Sequence, residues 1–254
     1  MRRAVMDTLV IAERNLVRLP RAPDLLLAFT VQPIMFVLLF RYVFGGAIRT
    51  PVKYVDFLIP GIIVQNIAFG GFVTALGLNE DVHKGLIDRF RSLPMARPAV
   101  LAGRTLSDVA TNSLSITILL VTGVIIGFSF HTSFLQAAAG IGLLLLFGYA
   151  FSWVFAFLGL LVSSPESANS VGFIAVFPLT FISSAFVPVS SMPSVLRAFA
   201  NVNPFTVMVD AMRSLWIGLP AGNNVWGAVV WIFVIIAVFA PLAVARYRRA
   251  AGGQ

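Results

Sequence analysis

The side chains able to do chemistry in this sequence are few, and they gather in three places. Between Asn79 and Arg104 the chain reads NEDVHKGLIDRFRSLPMARPAVLAGR, with Glu80, Asp81, His83, Lys84, Asp88, Arg89 and Arg91 crowded around Gly85 and ahead of Pro94. The chemistry open to these groups is ion pairing: the segment suits the grip of a soluble partner, with solvation or headgroup contact as the plainer role of each charge. The second place is an apolar stretch that carries Gln65 and Asn66 and then Phe69, Phe72 and Thr74. A later stretch repeats Phe173, Phe177 and Phe181 at steps of four, with Thr180 and Ser184 nearby. Amides in hydrocarbon need partners, so Gln65 and Asn66 should face another helix or a water-filled path. The rings beside them suit an amphipathic substrate, or they pack between helices. Thr30, Gln32 and Met35 are weaker candidates of the same kind. The third place runs on from Pro188 through Asn203, Pro204, Asp210 and Arg213. Asp210 and Arg213 are three apart and can pair on one helix face, either to cap a path or as a local surface bridge.

Bond-making chemistry finds little support. The chain has no cysteine, which excludes disulfide frameworks, cysteine–zinc sites and iron–sulfur clusters. Its two histidines, His83 and His131, form no HExxH pattern, and no nucleophile–base pair is recognisable. A phosphate-gripping loop needs glycines followed by lysine, yet neither lysine, Lys53 or Lys84, follows a GxxxxG. The terminal Gly252-Gly253-Gln254 has no supporting context and reads as a tail. No catalytic, metal or cofactor residue is expected in this chain.

The elements that must position the three groups are membrane helices. Hydrophobic residues make up 59% of the 254 and charged ones 11%, and the mean hydropathy is +0.94. That composition lies outside the range of soluble domains. The expected fold is all-α: one polytopic membrane domain over 1–254 with six spans, at Leu25–Phe44, Phe57–Leu78, Leu106–Phe128, Phe134–Val162, Ala168–Val187 and Val225–Ala245. Gly123 and Gly127 form a GxxxG in the third, a weak sign of close helix approach.

The net charge of +8 sits beside these spans rather than in a patch for nucleic acid, which is not an expected partner. Thirteen of the eighteen bases fall on one side if both termini are cytoplasmic: Arg2, Arg3, Arg14, Arg18 and Arg21, then Lys84, Arg89, Arg91, Arg97 and Arg104, then Arg246, Arg248 and Arg249. A five-span chain would leave the last three outside. Residues 1–23 are expected to form an amphipathic interfacial helix, with Val5, Leu9, Ala12, Leu16 and Leu19 on one face and Pro20 and Pro23 at its end. It serves as an anchor or as a lever moved by the cytoplasmic partner. Its Asp7, Glu13 and Arg14 interrupt any signal-peptide core. In the 79–104 segment a short helix from Glu80 to Leu93 is expected, capped by Asn79 and ended by Pro94. Residues 188–219 are too polar to cross and should form two short helices started near Pro193 and Pro204, with Asn203 as a cap.

Two polar-punctuated motifs carry a resemblance. KGLIDRFRSLPMARPAVLAGR resembles the cytoplasmic coupling segment of ABC-2-type transporter permeases, in particular the daunorubicin-resistance type of efflux permease. FPLTFISSAFVPVSSMPSVLRAFANVNPFTVMVDAMRSL, Phe177 to Leu215, is similar to that family's fifth span, outer turn and two re-entrant helices. An N-terminal helix containing Glu13–Asn15 also fits, so the resemblance covers nearly the whole chain. It implies a permease of the prokaryotic inner membrane, powered by two copies of an ABC ATPase subunit that bind ATP and Mg. It also implies a second permease copy or a homologous one, with the second and fifth spans at the dimer centre. Carried over residue by residue, it makes Glu80, Asp81, His83, Lys84, Gly85, Asp88, Arg89, Arg91 and Pro94 the ATPase-coupling set. The expected cargo is a hydrophobic drug or lipid-like molecule, with polysaccharide or other lipid cargo as the alternative inside the family. Outside it, an ion-driven secondary transporter wants buried midplane acids, and the ten acids here fall near expected span ends.

Overall fold

The computed structural model describes residues 23–83, 97–162, 164–220 and 222–250. The described residues are almost entirely helical, with no strand among them. We number the helices α1 (Pro23–Leu39), α2 (Tyr54–Gly70), α3 (Phe72–His83), α4 (Arg97–Ile125), α5 (Phe134–Leu161), α6 (Pro165–Phe181), α7 (Ser194–Val202), α8 (Pro204–Ile217) and α9 (Asn224–Ala250). A π-helical turn, Phe40–Phe44, extends α1, and a 3₁₀ turn spans Val189–Ser191. Four segments are long and apolar enough to cross a membrane: Tyr54–Asn79, Gly103–Ile125, Phe134–Leu161 and Asn224–Tyr247. Val31–Phe44 is a shorter apolar helix. The chain is thus a polytopic membrane protein.

Local sequence explains the helix ends. Ser133 and Gln136 make a reciprocal capping box at the start of α5. Ser164 caps α6, whose first residue is Pro165. Asn203 caps α8 through Phe205 N–H at 2.9 Å, with Pro204 at the first helical position. Gly218 closes α8 in the left-handed conformation, φ 74°, where a side chain would be strained.

α2 is the axis of the bundle. Its residues from Tyr54 to Ala68 are buried except Gln65, and α1, α4, α5 and α8 surround it. α5 is the second pillar, packed against α9, α3 and α4. Between them lie Leu58, Ile59, Ile62 and Ile63 of α2, Phe147 and Phe151 of α5, and Phe205, Met208, Met212 and Trp216 of α8. Lipid tails are as apolar as these side chains, so close packing rather than water exclusion holds the group together. Small residues permit that packing: Gly61 lies against the backbone of Ala185, and Gly172 of α6 against the rings of Phe72 and Phe155. A smaller cluster, Leu78, Trp153, Ala156, Ala243 and Tyr247, ties α3, α5 and α9 together.

Four details differ from the sequence expectation. The second span is two helices, broken at Gly71, whose N–H bonds Ala68 O in a tight turn. The third helix begins at Arg97, nine residues before Leu106, because Pro98 occupies a first-turn position where a missing N–H costs nothing. The fifth helix stops at Phe181, with Pro178 inside it, and residues 182–187 run on as turns. α3 runs on through Asn79 to His83, so no helix starts at Glu80, and the Asn79 side chain bonds Gly159 O and Val162 O instead of capping one. Of the GxxxG pair, Gly123 packs against Ile59, while Gly127 lies in the turn that ends α4. The N-terminal amphipathic helix lies outside the described residues.

Candidate functional site

α6 leaves one face open. Val171, Phe173, Ile174 and Phe177 are exposed, Phe173 at 48%. Behind that face a line of rings runs through the bundle. Phe173 stacks on Phe177 at 4.6 Å and Phe177 on Phe181 at 4.3 Å, because residues four apart lie one turn above each other. Beyond Phe181 the line passes to Phe186 at 5.1 Å and then to Phe40 of α1 at 4.5 Å. In the other direction it reaches Phe69 at 6.1 Å, then Phe72 at 5.5 Å and Phe155 at 4.6 Å. Separations of this size are those at which aromatic pairs attract.

Of the residues expected along a path, Gln65, Phe69 and Phe181 are half-buried, and Phe173 and Phe177 are exposed on the same side. Asn66, Phe72 and Thr180 are buried, and the Thr180 hydroxyl bonds Phe177 O within its own helix. Those three therefore pack within the protomer. α2 lies inside the bundle and α6 on its surface, so the two helices are not equivalent. Sequence spacing missed Phe40 and Phe155, whose neighbours Phe186 and Phe72 are far away along the chain, and Phe186, which lies in the turns after α6 and outside its repeat of four. Gln32 and Met35 of α1 are exposed.

At the end of the bundle that carries Tyr54, the third group converges. Arg213 of α8 is only 3% exposed and uses its guanidinium as a fork. Nε and Nη2 donate to Phe57 O at 3.1 and 2.9 Å, Nη2 donates to Ser184 O at 2.7 Å, and Nη1 reaches Asp210 Oδ1 at 3.0 Å. The ring of Phe57 lies 3.4 Å from the guanidinium carbon, a cation–π contact. Ser184 Oγ donates to the same Asp210 oxygen at 2.8 Å, and Tyr54 O–H donates to Phe186 O at 3.3 Å. Asn203 Nδ2 donates to both Leu179 O and Ile182 O at 2.7 Å. Pairing of Asp210 with Arg213 is as the spacing predicts, but Arg213 is drawn into the core while Asp210 stays half-buried. Pro188 is half-buried just beyond it.

These contacts have a common cause. α6 ends early, and the carbonyls it leaves free must be satisfied where water is scarce. Asn203 and Arg213 supply those donors, so one cap residue and one ion pair hold an irregular turn against α2.

At the opposite end, Thr74 of α3 donates its hydroxyl to the carboxylate of Asp108 on α4. Arg104 Nη2 lies 3.3 Å from Val73 O, and Asn79 Nδ2 donates to Gly159 O and Val162 O at 3.2 and 2.9 Å. Asp108 lies near the start of the apolar stretch Gly103–Ile125, as the sequence places it. With the helix starting at Arg97, Asp108 sits about three turns in and is buried. Of the coupling set, Lys84, Gly85, Asp88, Arg89, Arg91 and Pro94 and the side chains of Glu80, Asp81 and His83 lie outside the described residues. Among the described residues no group of His, Cys, Asp and Glu is placed to hold a metal ion.

The described residues thus form a helical, polytopic membrane domain with an open aromatic face and a polar-stitched end. The profile of the ABC-2 type transporter family matches residues 6–217, and the chain belongs to that family. It is 35% identical over 247 residues to the daunorubicin resistance ABC transporter permease protein DrrB1 of Streptomyces coeruleorubidus, covering 96% of this chain and 87% of that one. It is 28% identical over 254 residues to the probable doxorubicin resistance ABC transporter permease protein DrrC of Mycobacterium tuberculosis, covering 97% and 90%. A putative transport permease, ycf38 of Cyanophora paradoxa, is 25% identical over 219 residues, covering 84% and 74%.

Proposed function

We propose that this chain is the permease subunit of an ATP-binding-cassette exporter that moves a hydrophobic or amphipathic drug across the cytoplasmic membrane. The observation that carries the cargo class is the open aromatic face of α6, continued through Phe69 and Phe186, with the half-buried amide of Gln65 one turn before Phe69 on α2. Flat apolar molecules stack on such rings, and one polar group fixes their orientation. The relatives named for daunorubicin and doxorubicin resistance support the same class.

In this reading the chain crosses the bilayer six times with both termini in the cytoplasm. α6 is the fifth crossing, completed by the turn at 182–187, and α7 and α8 re-enter from the outer side. The end carrying Tyr54 and Arg213 is then external, and the end carrying Asn79 and Arg104 is cytoplasmic. Two ATPase subunits bind ATP and Mg and push on residues 79–104. A second permease, identical or homologous, faces α6 and completes the path. ATP-driven closure of the ATPases then switches the spans between inward- and outward-facing arrangements.

The test is reconstitution. The chain is co-purified with its ATPase subunit, and uptake of an anthracycline into inside-out vesicles is followed by fluorescence quenching. ATP-dependent uptake, abolished by vanadate and indifferent to proton or sodium gradients, is the expected result. Uptake driven by an ion gradient alone overturns the reading, and ATP-dependent flux of a lipid or polysaccharide with no anthracycline uptake overturns its cargo class.

A further inference from the structure

α3 and α4 are the two legs through which the cytoplasmic segment joins the membrane domain. Their direct packing is slight: α3 lies mainly against α5 and α6. What joins the legs is polar. Thr74 of α3 donates to Asp108 of α4. One turn before Asp108, Arg104 reaches across, and its guanidinium fills the space that a Cβ at residue 77 would need. Gly77 is thus the notch that receives Arg104, whose Nη2 also lies 3.3 Å from Val73 O. Arg104 and Asp108 are one helical turn apart, the spacing at which opposite charges on a helix interact.

Above this contact the α2–α3 joint is glycine again. Gly70 and Gly71 leave room for Asn112 and for the ring of Phe155, and Asn112 Nδ2 is buried without a hydrogen-bond partner. A joint with a helix break, two glycines and an unpaired amide is where a rigid short helix can swing.

We propose that Arg104, Asp108, Thr74 and Gly77 form a staple across the base of the cytoplasmic segment. Through it a displacement of that segment moves α3 and α4 as one body about the Gly70–Gly71 joint. The four are positioning residues for energy coupling and contact neither nucleotide nor cargo. Without the staple, a push on the segment would splay the legs instead of moving the spans. Ionisable groups inside a membrane domain are costly, and here both reach partners across the two legs.

The proposal rests on the exporter reading above, and two experiments on the complete complex test it. In the first, Gly77→Ala displaces the guanidinium while raising helix propensity, and Thr74→Val removes the donor to Asp108 at constant size. Both variants are expected to co-purify with the ATPase and hydrolyse ATP, with cargo moved per ATP lowered on the order of tenfold, the scale of a mutation within a coupling network. An unchanged ratio in both overturns the staple. The second exploits the absence of cysteine in the chain. Thr74→Cys with Asp108→Cys replaces the staple by a disulfide, whose formation is followed by gel mobility. Transport per ATP should be low when the pair is reduced and recover on oxidation. Failure to cross-link, or the same ratio in both states, overturns the proposal. A wild-type complex that moves nothing on ATP instead overturns the exporter reading itself.

Discussion

At the scale of single residues, Arg213 shows how much one side chain can carry in a membrane domain. Its fork serves Phe57 O, Ser184 O and Asp210 at once, and so joins α2, the turn after α6, and α8. Lysine keeps the charge but presents a point rather than a planar fork, so it cannot reach all three acceptors. Arg213→Lys is therefore expected to destabilise the purified protein by about 3 kcal/mol, since buried acceptors are left unpaired. Asp210→Asn should cost less, because Asp210 is more exposed, at 30%, and an amide oxygen still accepts from Ser184 and Arg213. The thermal midpoint in detergent, read by size-exclusion of the heated sample, checks both. An Arg213→Lys midpoint equal to wild type would show that the fork is dispensable. Part of this site was legible in the sequence. Asn203-Pro204 announces a capped helix start, and three-residue spacing announces the Asp210–Arg213 pair. The carbonyl partners were not legible, because backbone acceptors carry no residue signature and lie up to 156 positions away in the chain.

At the scale of elements, the apolar pattern located the helices, and its errors share a cause. Proline and glycine act locally, whereas hydropathy averages over a span. Pro98 sits in the first turn of α4, so the helix starts well before the apolar run and Asp108 lies inside it, buried, rather than at its end. Gly70-Gly71 passed unnoticed inside an apolar run although it divides α2 from α3. The i, i+4 repeat of phenylalanine on α6 was legible and is a real stack, but its meaning depends on which rings face out. Phe173→Ala and Phe177→Ala remove rings from an open face, so they should leave stability nearly unchanged. Drug export should fall several-fold, a loss on the scale of one aromatic contact per ring, about 1 kcal/mol. Phe155→Ala, at the buried end of the same line, should cost about 3–5 kcal/mol through its cavity and lower expression. Export normalised to protein in the membrane separates the two effects. Equal stability losses in all three variants would mean that the α6 face is a packing surface.

At the scale of the whole molecule, the proposed topology turns on whether α6 crosses, and α6 is short for a span. Its seventeen residues give roughly 26 Å of helix, short of a hydrocarbon core of about 30 Å. Bare turns do not survive in lipid, so a short helix crosses only if protein donors satisfy the backbone that extends it. Asn203 and Arg213 provide those donors from α8. If α6 crosses as proposed, α7 and α8 fold over the turn that completes it. The absence of cysteine makes the consequence measurable, since one introduced thiol reports one position. Ser190→Cys, exposed beyond α6, should react in intact cells with a membrane-impermeant maleimide. Ser164→Cys, at the start of α6, should react only in inverted vesicles, as should a cysteine appended to the C-terminus. If Ser190→Cys and Ser164→Cys react from the same side, α6 does not cross. The C-terminus would then lie outside, contrary to the grouping of Arg246, Arg248 and Arg249 with the cytoplasmic bases. The same labelling repeated on Arg213→Lys links the two scales: with the donors to Ser184 O and Phe57 O weakened, Ser190→Cys should label at the same face but faster, because the turn it follows is less firmly held.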